Sequence, residues 1–170
     1  MGGYVLYMRH TSKDQSKTEE KDREDFDNCS WQNDLTEIGR GEAKQLGEIF
    51  SELGIPIADV LSSPYCRCIN TARLAFGQSV KRVAALRSTD GVSSNEKMKG
   101  LQDELDRLLN TPPPTGKNTV IVGHSTNLKK VTGILPEEAP EGSTTIFLPH
   151  PGSQWQCFQT ILLKGWKIEK

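Results

Sequence analysis

Residues 118–135, NTVIVGHSTNLKKVTGIL, run from an unbroken apolar stretch through Gly-His-Ser into a segment of helical period. A strand that is apolar along its whole length cannot leave either face in water, so its sheet needs helices on both sides. YVLYM at residues 4–8 makes the same demand, and ADVLSS at 58–63 reads as a second short buried strand. Between these runs the apolar period changes to that of helices. Ile38, Leu46, Ile49, Phe50 and Leu53 form one such face, closed by Gly54 and Pro56. Ser63 and Pro64 read as the cap and first position of a second helix, which runs to Gly77. KRVAAL at 81–86 is a plausible third strand. Ser94 opens a helix carrying Met98, Leu101, Leu105, Leu108 and Leu109. STTIFLP and QWQCFQTILL look like a closing antiparallel pair at the sheet margin. Strands alternating with helices predict a three-layer α/β/α sandwich with a mostly parallel sheet, in one continuous domain over residues 1–170.

The charge balance narrows the partners. With 21 basic and 22 acidic residues the net charge is -1, so no global field argues for nucleic acid or an anionic membrane. No apolar run reaches the length of a membrane span, and no signal-peptide pattern precedes Tyr4. Cys29, Cys66, Cys68 and Cys157 lack the paired C-x-x-C spacing of a zinc site, and no metal or cofactor is expected. Four reduced thiols in a cytoplasmic protein are the default expectation; one bridge in an exported protein is the alternative.

Polar groups fall at equivalent places on this framework. Arg9 and His10 follow the first strand, Arg67 lies in the first turn after the second, and His124 closes the strand NTVIVG. In open α/β sheets ligands bind where strands end. Two arginines and two imidazoles beside helix N-termini suit a tetrahedral dianion such as phosphate. A histidine in such a cradle is also a competent nucleophile at neutral pH. Residues 12–34 form a long polar segment without period, and its place after His10 suggests a wall for substrate. A different enzyme class is suggested by VIVGHSTN, a near miss to the G-x-S-x-G elbow. Its triad would need Ser125, Glu141 and His150, would put Asn127 where the elbow requires Gly, and would leave Arg9, His10 and Arg67 unexplained.

Four stretches resemble the histidine phosphatase (phosphoglycerate mutase-like) superfamily. YMRHT resembles its R-H-G/T signature, LSSPYCRCINTA its S-S-P-x-x-R-x-x-x-T-A helix start, and VIVGHS its second histidine motif. DLTEIGRGEAKQLG is similar to the family pattern that opens the first helix, and the resemblance spans residues 4 to about 135. It implies His10 as the phosphorylated nucleophile, with Arg9, Arg67 and His124 as the phosphate pocket. The implied activity is metal-independent hydrolysis of a phosphomonoester, or of phosphohistidine on a protein. The partner would be a phosphorylated small molecule or a phosphoprotein. Many relatives carry a glutamate after the third strand as proton donor. Here Ser88 stands at that place, which leaves Asp90, two residues on, or Glu141, ahead of a closing strand; His124 as an imidazolium is a third possibility. The absent glutamate also admits a non-catalytic member that only binds a phosphorylated ligand. Some relatives are exported, and in that case Cys29 is expected to bridge Cys66 or Cys68.

Overall fold

In the computed structural model, which describes residues 2–20 and 23–166, six strands form one mixed sheet in the order β3-β2-β4-β1-β5-β6. The strands are β1 (Val5–Arg9), β2 (Ile57–Ser62), β3 (Val80–Arg82), β4 (Asn118–Gly123), β5 (Thr144–Leu148) and β6 (Gln156–Ile161). The first four pair in parallel, whereas β5 runs antiparallel to β1 and β6 antiparallel to β5. Four helices cover the sheet: α1 (Glu37–Glu52), α2 (Cys66–Phe76), α3 (Asn95–Leu109) and α4 (Ser125–Thr132).

The apolar strands divide their side chains between two cores. Leu6, Met8, Val120 and Val122 pack with Leu46, Ile49 and Phe50 of α1 and with Cys68 and Ala72 of α2. Val5, Tyr7 and Ile121 point the other way, against Leu105, Leu108 and Leu109 of α3 and Leu128 of α4. This alternation is what a strand buried on both faces must produce. The expected sandwich is thus the observed one.

Three local readings are corrected. Ile38 is 72% exposed, because the inward stripe of α1 begins with Gly39 and Ala43. The second helix starts at Cys66 with Tyr65 as its N-cap, and Ser63 and Pro64 lie ahead of it. The Ser63 hydroxyl is bonded to His124 at 2.7 Å and accepts a long contact from the Tyr65 N–H at 3.4 Å, ahead of the helix rather than in its first turn. The run KRVAAL contributes only Lys81 and Arg82 to β3, which starts one residue earlier at Val80, and it ends in a 3-10 turn at Ala84–Leu86. The apolar Leu86 is buried by that turn.

Helices α1 and α2 approach closely at Gly47, where a Cβ would collide with the backbone oxygen of Ala75. Gly41, on the exposed side of the same helix, has no neighbour that a Cβ would meet. Alanine at the two positions should therefore act with opposite sign. Gly47→Ala is expected to destabilise by about 1–3 kcal/mol through overpacking, and Gly41→Ala to stabilise by about 0.5–1 kcal/mol through helix propensity. Urea denaturation of both variants checks this.

Candidate active site

The parallel register of β1 and β4 places Arg9 opposite Gly123, so the residues that follow, His10 and His124, emerge side by side. Their rings meet edge to face with centroids 5.6 Å apart. Tyr7 holds the second of them in place: its hydroxyl donates to the His124 carbonyl at 2.8 Å and accepts from the His124 N–H at 2.9 Å. Gly123 is required next to this clamp, since a Cβ there would strike the Tyr7 hydroxyl. Arg67, in the first turn of α2, completes the group, with Nη2 3.4 Å from His124 Nδ1.

The partners define the protons. His10 Nδ1 lies 2.9 Å from the Thr11 carbonyl, which only accepts, so Nδ1 carries the hydrogen and Nε2 the lone pair. Arg67 only donates, so His124 Nδ1 is the acceptor and its Nε2–H donates to the Ser63 hydroxyl. Both rings are held neutral. Burial drives each pKa well below the usual imidazole value, and the Arg67 guanidinium drives it further.

Two guanidiniums flank the pair, Arg67 buried and Arg9 half-buried. Arg67 is stacked over the Tyr65 ring with its carbon 4.5 Å from the centroid, and its Nη1 donates to Glu19 Oε1 at 2.5 Å. Arg9 donates from Nη1 to the carbonyls of Pro136 and Ala139, and its Nη2 lies 3.9 Å from Glu141. The Nε atoms of both arginines are buried without a partner among the described residues. The site therefore holds cationic donors that are not fully used.

The expected residues occupy three positions. His10, Arg67 and His124 are in mutual reach at the strand ends. Arg9 and Glu141 form an adjacent pair, and burial raises the Glu141 carboxyl above its ordinary range against the pull of Arg9. Asp90 is exposed on the rim of a cavity of about 240 Å³ lined also by Lys13, Thr18, Glu19, Asn33, Tyr65 and Ser88. Arg67 pairs with Glu19. His150 lies apart, its backbone N–H held by Asn110.

Several contributors had no sequence signal. Glu19 sits in a run of like residues with no period to distinguish it. Tyr65 and Ser63 were visible only as a helix start, and Asn33, whose backbone N–H donates to Glu19 at 2.8 Å, only as part of a loop. The default expectation of four reduced thiols is also corrected. Cys29 and Cys66 form a disulfide, Cα atoms 5.9 Å apart, which fastens the 12–34 loop to the residue preceding Arg67. Cys68 remains a thiol, with burial pushing its pKa up to about 12, and Cys157 is an exposed thiol.

The sequence profile of the histidine phosphatase superfamily (branch 1) matches residues 6–114. The chain belongs to this superfamily. The match includes His10 and Arg67 and ends before β4, so His124 enters the site through the strand register described above. No curated protein matches the chain. Among solved structures, the protein histidine phosphatase SixA complexed with tungstate aligns with a TM-score of 0.68 at 14% identity, over 96% of this chain and 99% of SixA. The mycobacterial glucosyl-3-phosphoglycerate phosphatase aligns with a TM-score of 0.62 at 15% identity, over 92% and 98%. A phosphoserine phosphatase mutant from Entamoeba histolytica with phosphoserine aligns with a TM-score of 0.58 at 13% identity, over 92% and 95%. At these identities the likeness establishes a shared fold. As a histidine phosphatase, the chain is an enzyme of the phosphoric monoester hydrolase type. No described helix is long and apolar enough to cross a membrane.

Two measurements test this description. Depressed imidazoles bind their protons first in the unfolded chain as pH falls. Folding stability is therefore complete above the unfolded value near 6.5 and declines below it, by up to about 1.4 kcal/mol per pH unit for each histidine. Urea titrations between pH 7.5 and 5.5 should show this decline, and His10→Asn should lessen its slope. Glu141 acts in the opposite sense, since a raised carboxyl gives stability that is lost as pH rises through its folded value. It titrates alike in both proteins, so the difference isolates the histidine. The second measurement is reduction. With a sequence separation of 37 between its cysteines, the Cys29–Cys66 bridge should contribute about 3–4 kcal/mol by chain-entropy reasoning. Cys29→Ser/Cys66→Ser should lose that much, read by the same titration.

Proposed function

We propose that this enzyme hydrolyses a phosphomonoester, or phosphohistidine on a protein, through a phosphoryl intermediate on His10 and without a metal. The observation that carries this reading is the His10 Nδ1–Thr11 carbonyl hydrogen bond at 2.9 Å. It fixes the tautomer that leaves a lone pair on Nε2, beside an arginine whose donors are not all used.

In the first half-reaction the Nε2 lone pair forms an N–P bond, and the bond from phosphorus to the leaving oxygen breaks. The leaving oxygen takes a proton. In the second half, water attacks phosphorus, the N–P electrons return to Nε2, and inorganic phosphate departs. Arg67 and Arg9 supply hydrogen bonds and positive charge to the equatorial oxygens, where phosphoryl transfer needs them most, and the neutral His124 ring fixes the Arg67 guanidinium beside them. The neutral state of His10 suits a nucleophile, because a protonated imidazole has no lone pair to offer. The protein histidine phosphatase SixA, which shares this fold, has been solved in complex with tungstate, a tetrahedral oxyanion like phosphate. Lys13, Thr18, Glu19, Glu20 and Asn33 of the 12–34 segment wall the cavity, which is where substrate selection would lie.

Hydrolysis of p-nitrophenyl phosphate should survive strong chelators and be inhibited by vanadate. His10→Ala should lower kcat on the order of 10³-fold or more. Arg67→Ala should weaken inhibition by phosphate about 10- to 100-fold, the loss of charged hydrogen bonds. Rapid acid-free quench of a labelled substrate should place the adduct on His10. Phosphate binding without turnover would instead favour a ligand-binding member of the fold, and an adduct on Ser125 would overturn the assignment.

A further inference from the structure

The phosphoryl-transfer reading leaves one group unassigned. An alkoxide is a poor leaving group, so a positioned acid must protonate the bridging oxygen. The position after β3 offers only Ser88, whose hydroxyl is too weak an acid for the task.

A carboxyl group is nonetheless built into the site from another element. Glu19 reaches from the 12–34 loop to Arg67, and its Oε1 accepts from Arg67 Nη1 at 2.5 Å and from the Asn33 N–H at 2.8 Å. Its Oε2 makes no hydrogen bond among the described residues, and the residue lines the cavity that Ser88 and Asp90 also border. The loop is not loosely draped there. Asn33 Nδ2 donates to the Lys17 carbonyl at 3.0 Å, the Gln32 side chain accepts from the Cys66 N–H at 2.8 Å, and the Cys29–Cys66 disulfide joins loop to helix. A side chain positioned by both neighbours of its loop and by a covalent tie is preorganised, as an acid catalyst must be.

Resting on the reading of this site as a phosphatase, we propose that Glu19 is the catalytic proton donor, taking the place that the third-strand position leaves vacant. An arriving phosphoryl dianion competes with Glu19 for Arg67. A second negative charge beside the Glu19 carboxylate disfavours its ionised form, and in the proposed cycle Glu19 carries a proton once substrate is bound. As the bond from phosphorus to oxygen breaks, Glu19 passes this proton to the leaving oxygen. The resulting carboxylate takes a proton from the water that attacks phosphohistidine, and the cycle closes with proton and charge balanced. The other two carboxyls are placed less well. Asp90 is exposed on the rim and bonds to neither arginine. Glu141 lies beside Arg9, whose Nη1 is already committed to two carbonyls.

The test compares leaving groups in Glu19→Gln, which keeps the acceptor for Asn33 and Arg67 and cannot supply an acid proton. On phosphoserine and glycerol phosphate, kcat/KM should fall about 10²- to 10³-fold. On p-nitrophenyl phosphate, whose leaving group needs little protonation, the change should stay within about fivefold. Equal losses on both substrates would overturn the proposal, as would equal gains, which would make Glu19 a plug over Arg67. A selective loss in Asp90→Asn or Glu141→Gln, with Glu19→Gln unaffected, would also overturn it. Wild-type enzyme provides a control that needs no variant: across a series of phosphates its rate should depend only weakly on leaving-group basicity. A steep dependence would mean no acid acts. If wild-type enzyme fails to hydrolyse p-nitrophenyl phosphate at all, it is the phosphatase reading that falls.

Discussion

The pairing of β1 with β4 is the constraint from which the site follows. Parallel register sets Arg9 against Gly123, and only this alignment brings His10 and His124 out of the sheet at one level. A slip of one residue would turn Tyr7 and Val5 out of one core and Leu6 and Met8 out of the other. Hydrophobic burial thus fixes where the two imidazoles stand, though the apolar residues that do so carry no polar group of the candidate site. Tyr7 joins the two levels. Its ring belongs to the core beneath α3, and its hydroxyl satisfies both backbone groups of His124.

The 12–34 loop depends on a different balance. Several of its ion pairs are exposed, among them Asp27 with Arg82 and Glu24 with Lys97, and pairs of this kind contribute little in water. The disulfide and the buried Trp31, Gln32 and Asn33 contribute more, because they act on the unfolded chain or away from solvent. Phe26, Trp31 and Tyr65 stack on one another above this join. A segment that composition alone would describe as solvated is therefore held in shape near Arg67. Glu24 and Asp27 remain exposed, and Glu19 is half-buried against Arg67.

Much of the fold was legible because burial writes a period into the chain. Strands apolar at every position and helices with Leu101, Leu105, Leu108 and Leu109 on one side left few arrangements, and the motif residues fell at their ends. What was not legible came from residues acting outside their local pattern. Ser63 reads as a helix cap and is used as a partner for His124. Ile38 fits the period of α1 and faces water, since its position lies before the helix meets the sheet. Glu19 has no period at all. Its role depends on a contact 48 residues away with Arg67, and a chain of similar carboxylates gives no reason to choose it. The cysteines were legible as a choice between thiols and a bridge, and only the meeting of loop and helix decides between them.

The electrostatics of the site have a common logic. Arg67 is buried and Arg9 half-buried, each with a donor unused, and desolvation of the imidazoles beside them keeps both rings neutral rather than adding charge. A further buried arginine, Arg87, is balanced by Glu24 and covered by the Phe26 ring. Leaving a guanidinium buried with open donors costs free energy in the unliganded protein. Glu19 offsets part of that cost at Arg67, and a dianion would offset more, because it can engage several donors together. The same carboxylate that stabilises the resting site must then give way to the phosphoryl group. A residue displaced in this manner, and held within reach by Asn33 and the disulfide, is brought into the presence of a negative charge at the moment when a proton is needed.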